Sequence, residues 1–204
     1  MHKEREISAK QCRISLLVTG GPQFQTQDDF GSGSGIDSIL QWQMASMEPD
    51  LQEGTVDNLD VDPAVGNILT RLRRIFHQPQ LSCLTTTELH DLTCFVVHKL
   101  LLLPPLSPAD SKRSVTSECL RYALVLYMLT IHGTTYYSHH HLVYTILLQL
   151  KGYYMALSHS NYTHGPLEIW VSSVGMVAST STTDYQWFIE IGRASCRERG
   201  SLQC

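Results

Sequence analysis

The sequence predicts an all-α fold, an irregular array of five to six packed helices behind a flexible N-terminal segment, and three observations predict it. Apolar residues recur three or four apart along most of the chain beyond Asp62, the spacing of one helix face. Capping residues, prolines and glycines stand at the ends of these runs, where helices start and stop. The alternating apolar and polar pattern of half-buried strands joined by hairpin turns is absent. With 204 residues the chain is long enough for one core plus peripheral segments.

Residues 1–61 read largely as disordered or linker sequence. The stretch from Gly20 to Gly54 is rich in Gly, Ser, Gln and Asp and includes Gly31-Ser32-Gly33-Ser34-Gly35, a composition that cannot bury enough apolar surface to offset its ordering entropy. A short helix over Ile36 to Met47 is the one element its pattern allows. The helical domain is expected over 62–190. Its first helix starts at Asp62-Pro63, since a carboxylate caps free amides and proline fits the first turn without losing a bond. Val65, Ile68, Leu69, Leu72, Ile75 and Phe76 form its apolar stripe, with Arg71, Arg73 and Arg74 on the other sides, read chiefly as a solvated basic helix end, contact with an acidic partner segment being the competing use.

A second helix is expected from about Thr87 to Leu102, opened by Thr85-Thr86-Thr87, closed by Pro104-Pro105 and buried on more than one side. Ser107-Pro108 offers the next start. Val115, Cys119, Tyr122, Ala123, Leu126 and Thr130 then follow one face of a long central helix that Gly133 can end. Tyr137 to Leu157 carries Leu142, Ile146, Leu150 and Tyr153 at helical spacing; Gly152 in its interior is read as permitting close helix packing at a cost of up to ~1 kcal/mol. Gly165-Pro166 opens a helix with Leu167, Trp170, Val171, Val174 and Ala178 on one face, and a last helix begins near Thr183 with Trp187 and Phe188 as anchors.

Composition excludes several function classes. Fifteen Lys and Arg against 19 Asp and Glu give a net charge of -4, so no global positive field gathers phosphates and direct nucleic-acid binding is not expected. Charged residues make up 17%, below the usual ~25%. The six cysteines, Cys12, Cys83, Cys94, Cys119, Cys196 and Cys204, form no CxxC pair and read as reduced thiols, Cys94 and Cys119 in the core. The short apolar run Ile14 to Val18 does not make a secretory signal, and Leu100 to Leu106 and Leu120 to Ile131 fall short of the ~20 residues that span a bilayer. An intracellular protein with no membrane segment is expected.

No catalytic, cofactor or metal residues are assigned. His139-His140-His141 are adjacent, and neighbouring positions on a helix point about 100° apart, so they do not converge on one ion. His90 and His98 are two turns apart and read as a partly buried pair; His159 and His164 lie in polar sequence. No G-x-S-x-G elbow appears, and Gly31, Gly33 and Gly35 lack the strand-to-helix context of a phosphate loop. Asn161-Tyr162-Thr163 matches a glycosylation sequon by chance. Tyr136, Tyr137, Tyr144, Tyr153 and Tyr154 are read chiefly as helix packing, a small-molecule effector pocket being the competing use.

The run Ser117-Glu118-Cys119-Leu120-Arg121-Tyr122-Ala123-Leu124-Val125-Leu126-Tyr127 resembles the "ECCRLAALIYL" type of helix in the C-terminal regulatory domain of fungal binuclear zinc-cluster transcription factors. Leu147-Leu148-Gln149-Leu150-Lys151 is similar to that family's "LLxxLK" helix. Leu167-Glu168-Ile169-Trp170-Val171-Ser172-Ser173-Val174-Gly175-Met176-Val177-Ala178 is similar to its "LLLWxLFVGGxAA" helix. The likeness covers roughly Pro63 to Phe188, in the family's order. These residues are core formers: Trp170 is an amphipathic anchor, and Gly175 and Ala178 are read as letting a neighbouring backbone come close. The resemblance implies a nuclear, nonenzymatic platform that contacts transcription machinery or self-associates and receives regulatory signals. The family's zinc cluster needs six closely spaced thiolates, and only Cys12 precedes Pro63, so this chain is expected to read no DNA. A freestanding helical scaffold or adaptor unrelated to transcription is the alternative. Separately, Ile191 to Arg199 reads I-G-R-A-S-C-R-E-R and looks like the translation of a common sequencing-library adapter, so 191–204 is set apart as an adapter-derived tail.

Overall fold

A computed structural model of the chain describes residues 40–45, 60–77, 84–106, 111–133, 140–158, 166–180 and 182–201. Among them there are seven helices and no strand. The helices are α1 (Leu40–Met44), α2 (Pro63–His77), α3 (Thr86–Leu102), α4 (Ser111–His132), α5 (His140–Ser158), α6 (Pro166–Ala178) and α7 (Tyr185–Ser201). The all-α expectation holds, and six of the seven are 13 residues or longer. None of the described helices is long and apolar enough to cross a membrane. The chain divides into two compact units, Met1–Pro105 and Leu106–Cys204.

In the first unit, Asp62 opens α2 as expected, its Oδ1 accepting the Ala64 amide at 2.9 Å. Val65, Ile68, Leu72 and Ile75 are the buried stripe. Helix α3 begins at Thr86, one residue before the predicted start, because Thr85 caps it. Thr85 Oγ1 accepts the Glu88 amide and the Glu88 carboxylate accepts the Thr85 amide at 2.8 Å, the reciprocal arrangement of a capping box. As predicted, α3 is buried on more than one side: Leu92, Phe95, Val96 and Leu100 are covered, and so are His90 and His98. The two histidines are fully rather than partly buried, at 3% and 0% exposed.

Trp42 lies within the linker-like composition of 1–61, yet its side chain is buried. Helix α1 is only five residues long, too short to persist by propensity, and Trp42 holds it in place. That side chain is 4% exposed and meets Phe95 of α3 edge to face, centroids 5.3 Å apart. Arg71 of α2 lies over the same indole at 5.2 Å, and Arg74 donates to the Ala45 carbonyl at 2.8 Å. Arg71 and Arg74 are therefore not a solvated basic end. They grip a segment distant in sequence; only Arg73 of the three is exposed.

In the second unit α4 is the central helix and packs against α5 and α6, while α6 packs along α7. Cys119, Leu120, Ala123, Leu124, Val125, Leu126 and Met128 of α4 are all 1% exposed or less, a wider burial than the single predicted stripe, whose Thr130 is exposed. Gly133 ends the helix as predicted: its φ is 67°, and its amide reaches the carbonyls of Leu129 and Thr130, both at 3.2 Å, the left-handed cap that a residue without Cβ adopts most easily. Helix α5 is described from His140, its expected start at Tyr137 lying outside the described residues, and α7 starts at Tyr185 rather than Thr183.

Two glycines behave differently from expectation. Gly152 of α5 faces open space, with nothing within 4 Å of where a Cβ would stand, so it permits no close packing. Gly175 of α6 does admit a neighbour, yet the neighbour is the ring of Phe188, not a backbone. A Cβ at Gly175 would fall inside 3.0 Å of three atoms of that ring. The Phe188 ring is 1% exposed and is braced by Trp187, centroids 4.7 Å apart. Further along the seam a Cβ at Gly192 would stand 3.3 Å from Ser172 Oγ. Small residues on α6 thus set the distance of closest approach to α7, which continues as helix through Ile191 to Ser201.

Candidate functional site

Charged and polar side chains gather inside the second unit, on the first half of α4. Ser114, Thr116, Ser117, Glu118 and Arg121 are each 6% exposed or less. A carboxylate and a guanidinium at such depth need a countercharge, and each has the other: Glu118 Oε2 lies 2.6 Å from Arg121 Nη2 in an ion pair, although among the described residues that oxygen and Arg121 Nε make no hydrogen bond. Glu118 Oε1 accepts the Leu106 amide at 3.1 Å, so the carboxylate also fixes the residue that begins this unit. The Arg121 guanidinium donates to the Tyr122 hydroxyl at 3.3 Å and stands 5.1 Å from its ring. Tyr122 in turn stacks on Tyr153 of α5 at 5.6 Å. Burial, then the nearby Glu118 charge, holds the Tyr153 phenol above its ordinary value, with Arg121 opposing.

The cluster positions backbone and rings rather than reacting. Both Glu118 oxygens are engaged, and the neighbouring Cys119 thiol is pushed up to about 12, mainly by burial and then by the charge of Glu168. It therefore offers no thiolate at neutral pH. Cys94 is only partly buried, with its sulfur 3.8 Å from His90 Nε2 one turn earlier. Among the described residues no three His, Cys, Asp or Glu side chains converge on a metal-sized site. His141 is exposed on α5; His139, His159, His164, Asn161, Tyr136, Tyr137 and the glycines at 31, 33 and 35 lie outside the described residues.

The remaining tyrosines divide between core and surface. Tyr154 is 3% exposed and meets Trp187 edge to face at 6.0 Å, whereas Tyr144 is 47% exposed. With Leu148 and Met155, 45% and 43% exposed, Tyr144 forms an apolar, uncharged stripe along α5, since positions 144, 148 and 155 fall on one side of a 3.6-residue period. Lys151, the one Lys or Arg of α5, bonds Asp184 at 2.6 Å and lies 4.9 Å from the Trp187 ring. A cross-helix tie thus takes this cation off the stripe.

In the first unit the pairing of α1 with α2 and α3 is the most polar docking on display. Gln41 Nε2 donates to Glu88 Oε1 at 3.0 Å. That bond, followed by those from Thr85, holds the Glu88 carboxyl below the ordinary carboxylate range. Lys99 lies 5.3 Å from the Phe95 ring, and burial followed by the charge of Arg71 lowers its ammonium from the ordinary lysine value. The surface under Trp42 is therefore aromatic, with the cations Arg71, Arg74 and Lys99 and, along the Phe95 face of α3, the carboxylates Glu88 and the buried Asp91. The T-x-x-E spacing of Thr85 and Glu88 was a legible local signal for the cap; nothing local announced its second use by Gln41. No protein-family profile matches the chain, and neither a curated protein nor a solved structure does.

Proposed function

We propose that the chain is a nonenzymatic regulatory and protein-interaction module of the kind found in fungal binuclear zinc-cluster transcription factors, acting in the nucleus through helix-mediated contacts. What supports the reading is one observation: the three family-like segments, 117–127, 147–151 and 167–178, fall on consecutive helices, α4, α5 and α6, of one compact unit. Within these segments Leu120, Leu124, Leu147, Leu150 and Val171 are buried, the part that core-forming motifs play. The exposed apolar stripe of Tyr144, Leu148 and Met155 supplies a contact surface suited to another protein.

The test fuses the chain to an unrelated DNA-binding domain and reads a reporter gene in yeast, with a Glu118→Ala fusion as the core-broken control. The reading expects reporter output to shift with the native fusion and to return to baseline with the control. Unchanged output from a folded, nuclear fusion refutes it and leaves the freestanding scaffold or adaptor.

A further inference from the structure

Helix α1 is a ligand-like element. Residues 40–45 reach α2 and α3 through the buried Trp42 indole, the Gln41 side-chain amide and the Ala45 backbone carbonyl. This is the anatomy of a short recognition segment in a groove, where an aromatic anchor supplies most of the binding and polar ends fix its direction. The sequence around it adds a charge argument. Residues 14–59 hold seven Asp or Glu and no Lys or Arg, while the groove presents Arg71, Arg74 and Lys99 around Trp42 and Phe95 against the carboxylates Glu88 and Asp91. The residues that meet the groove are uncharged, and the acidic sequence on either side of them is what its three cations would attract, steering docking.

We propose that the α2–α3 face is a docking site for acidic protein segments bearing a tryptophan, and that the chain's own Trp42 segment occupies it as an autoinhibitory latch. The occupant to be admitted in trans is a partner segment of the same chemistry: a Trp that enters between Arg71 and Phe95, a side-chain donor for Glu88 just before it, and a free carbonyl for Arg74 three residues after it. The latch competes on favourable terms because 14 residues, 46–59, separate Ala45 from Asp60. Covalent linkage makes docking of the segment intramolecular, so a partner competes against an effective concentration rather than a bulk one. A partner must exceed that, or the tether must be cut. The inference stands independently of any role in transcription.

The probe is a fluorescent peptide of residues 37–53 of this chain, titrated by fluorescence anisotropy into the full-length protein. Trp42→Ala empties the groove and should bind the peptide at least ~10-fold more tightly than the native chain does. Adding Arg71→Ala and Arg74→Ala to it should abolish that gain, and the gain should weaken as salt rises. Circular dichroism establishes that Trp42→Ala remains helical. A second chain, with a protease site inserted at 50–54, keeps every groove residue native and should accept peptide after cleavage and not before. Equal binding by the native, Trp42→Ala and cleaved chains overturns the proposal, as does no binding by any of them. A native dimer that becomes monomeric with Trp42→Ala in light scattering also overturns it, because the segment would then be exchanged between two copies.

Discussion

Replacing Gly175 with alanine and Gly152 with alanine is the same chemical change in two helices of one unit, and the structure assigns the two opposite signs. On propensity alone each should gain stability, because glycine is ~1 kcal/mol worse than alanine in a helix interior. At Gly152 nothing lies within 4 Å of the new Cβ, so that gain is realised nearly whole, about 0.5–1 kcal/mol. At Gly175 the Cβ falls inside 3.0 Å of three atoms of the Phe188 ring. The ring is 1% exposed and pinned by Trp187, so it has no free rotamer to retreat into. Overpacking of this kind costs ~1–3 kcal/mol, and a ring forced out of its site loses a further ~2 kcal/mol of burial. Net of the propensity gain, Gly175→Ala should destabilise by ~2–4 kcal/mol. The assay is urea unfolding followed by tryptophan fluorescence in a Trp42→Phe background, which leaves Trp170 and Trp187, both in the second unit. Phe188→Leu should recover part of the loss in the double variant, a coupling of ~1–2 kcal/mol. A Gly175→Ala protein as stable as the parent, or no coupling to Phe188, would refute the packing argument.

Three further outcomes follow from the same geometry. Glu118→Ala leaves Arg121, 6% exposed, without its carboxylate and should cost ~3–5 kcal/mol, while Glu118→Met with Arg121→Met should cost clearly less; urea midpoints that rank the double below the single disprove the pair. Cys119, pushed up to about 12 from an ordinary 9.0, favours the protonated folded chain, so stability is kept below pH 9 and falls as pH rises from there toward 12. Cys119→Ala should flatten that alkaline decline in unfolding curves measured at pH 7, 9 and 10.5. Thr85→Ala removes the α3 capping box and should cost ~1 kcal/mol at pH 7. Because Glu88 is held below its ordinary 4.5, its contribution is present above that pH and lost as pH falls through the lower folded value; the mutant's deficit should therefore shrink in melts at pH 3.

Signals read from neighbouring residues carried over into the structure. Asp62-Pro63, Pro104-Pro105 and Gly133 mark helix ends in the sequence and in space, because a cap or a left-handed glycine acts over one turn, through bonds the segment makes with itself. The apolar stripe of α2 likewise names its buried residues, Val65, Ile68, Leu72 and Ile75. Arg71 and Arg74 carry the limit of that kind of reading. As helix-end cations they look solvated, and only the return of Trp42 and Ala45 from across a linker-like stretch gives them partners. The candidate groove was invisible for the same reason, since its parts lie on three helices and one of them is held solely by the others.

The sequence by itself determined the helical class, the helix ends marked by Asp62-Pro63, Pro104-Pro105 and Gly133, and the central place of α4, all of which follow from periodicity and local bonding. Tertiary structure alone decided which glycine is a packing requirement and which is open, and whether Glu118 and Arg121 are buried as a pair. It also decided what Trp42 does. Each of these turns on the distance to a side chain far away in the chain. A helical period fixes direction around one axis, and it carries no information about what stands opposite.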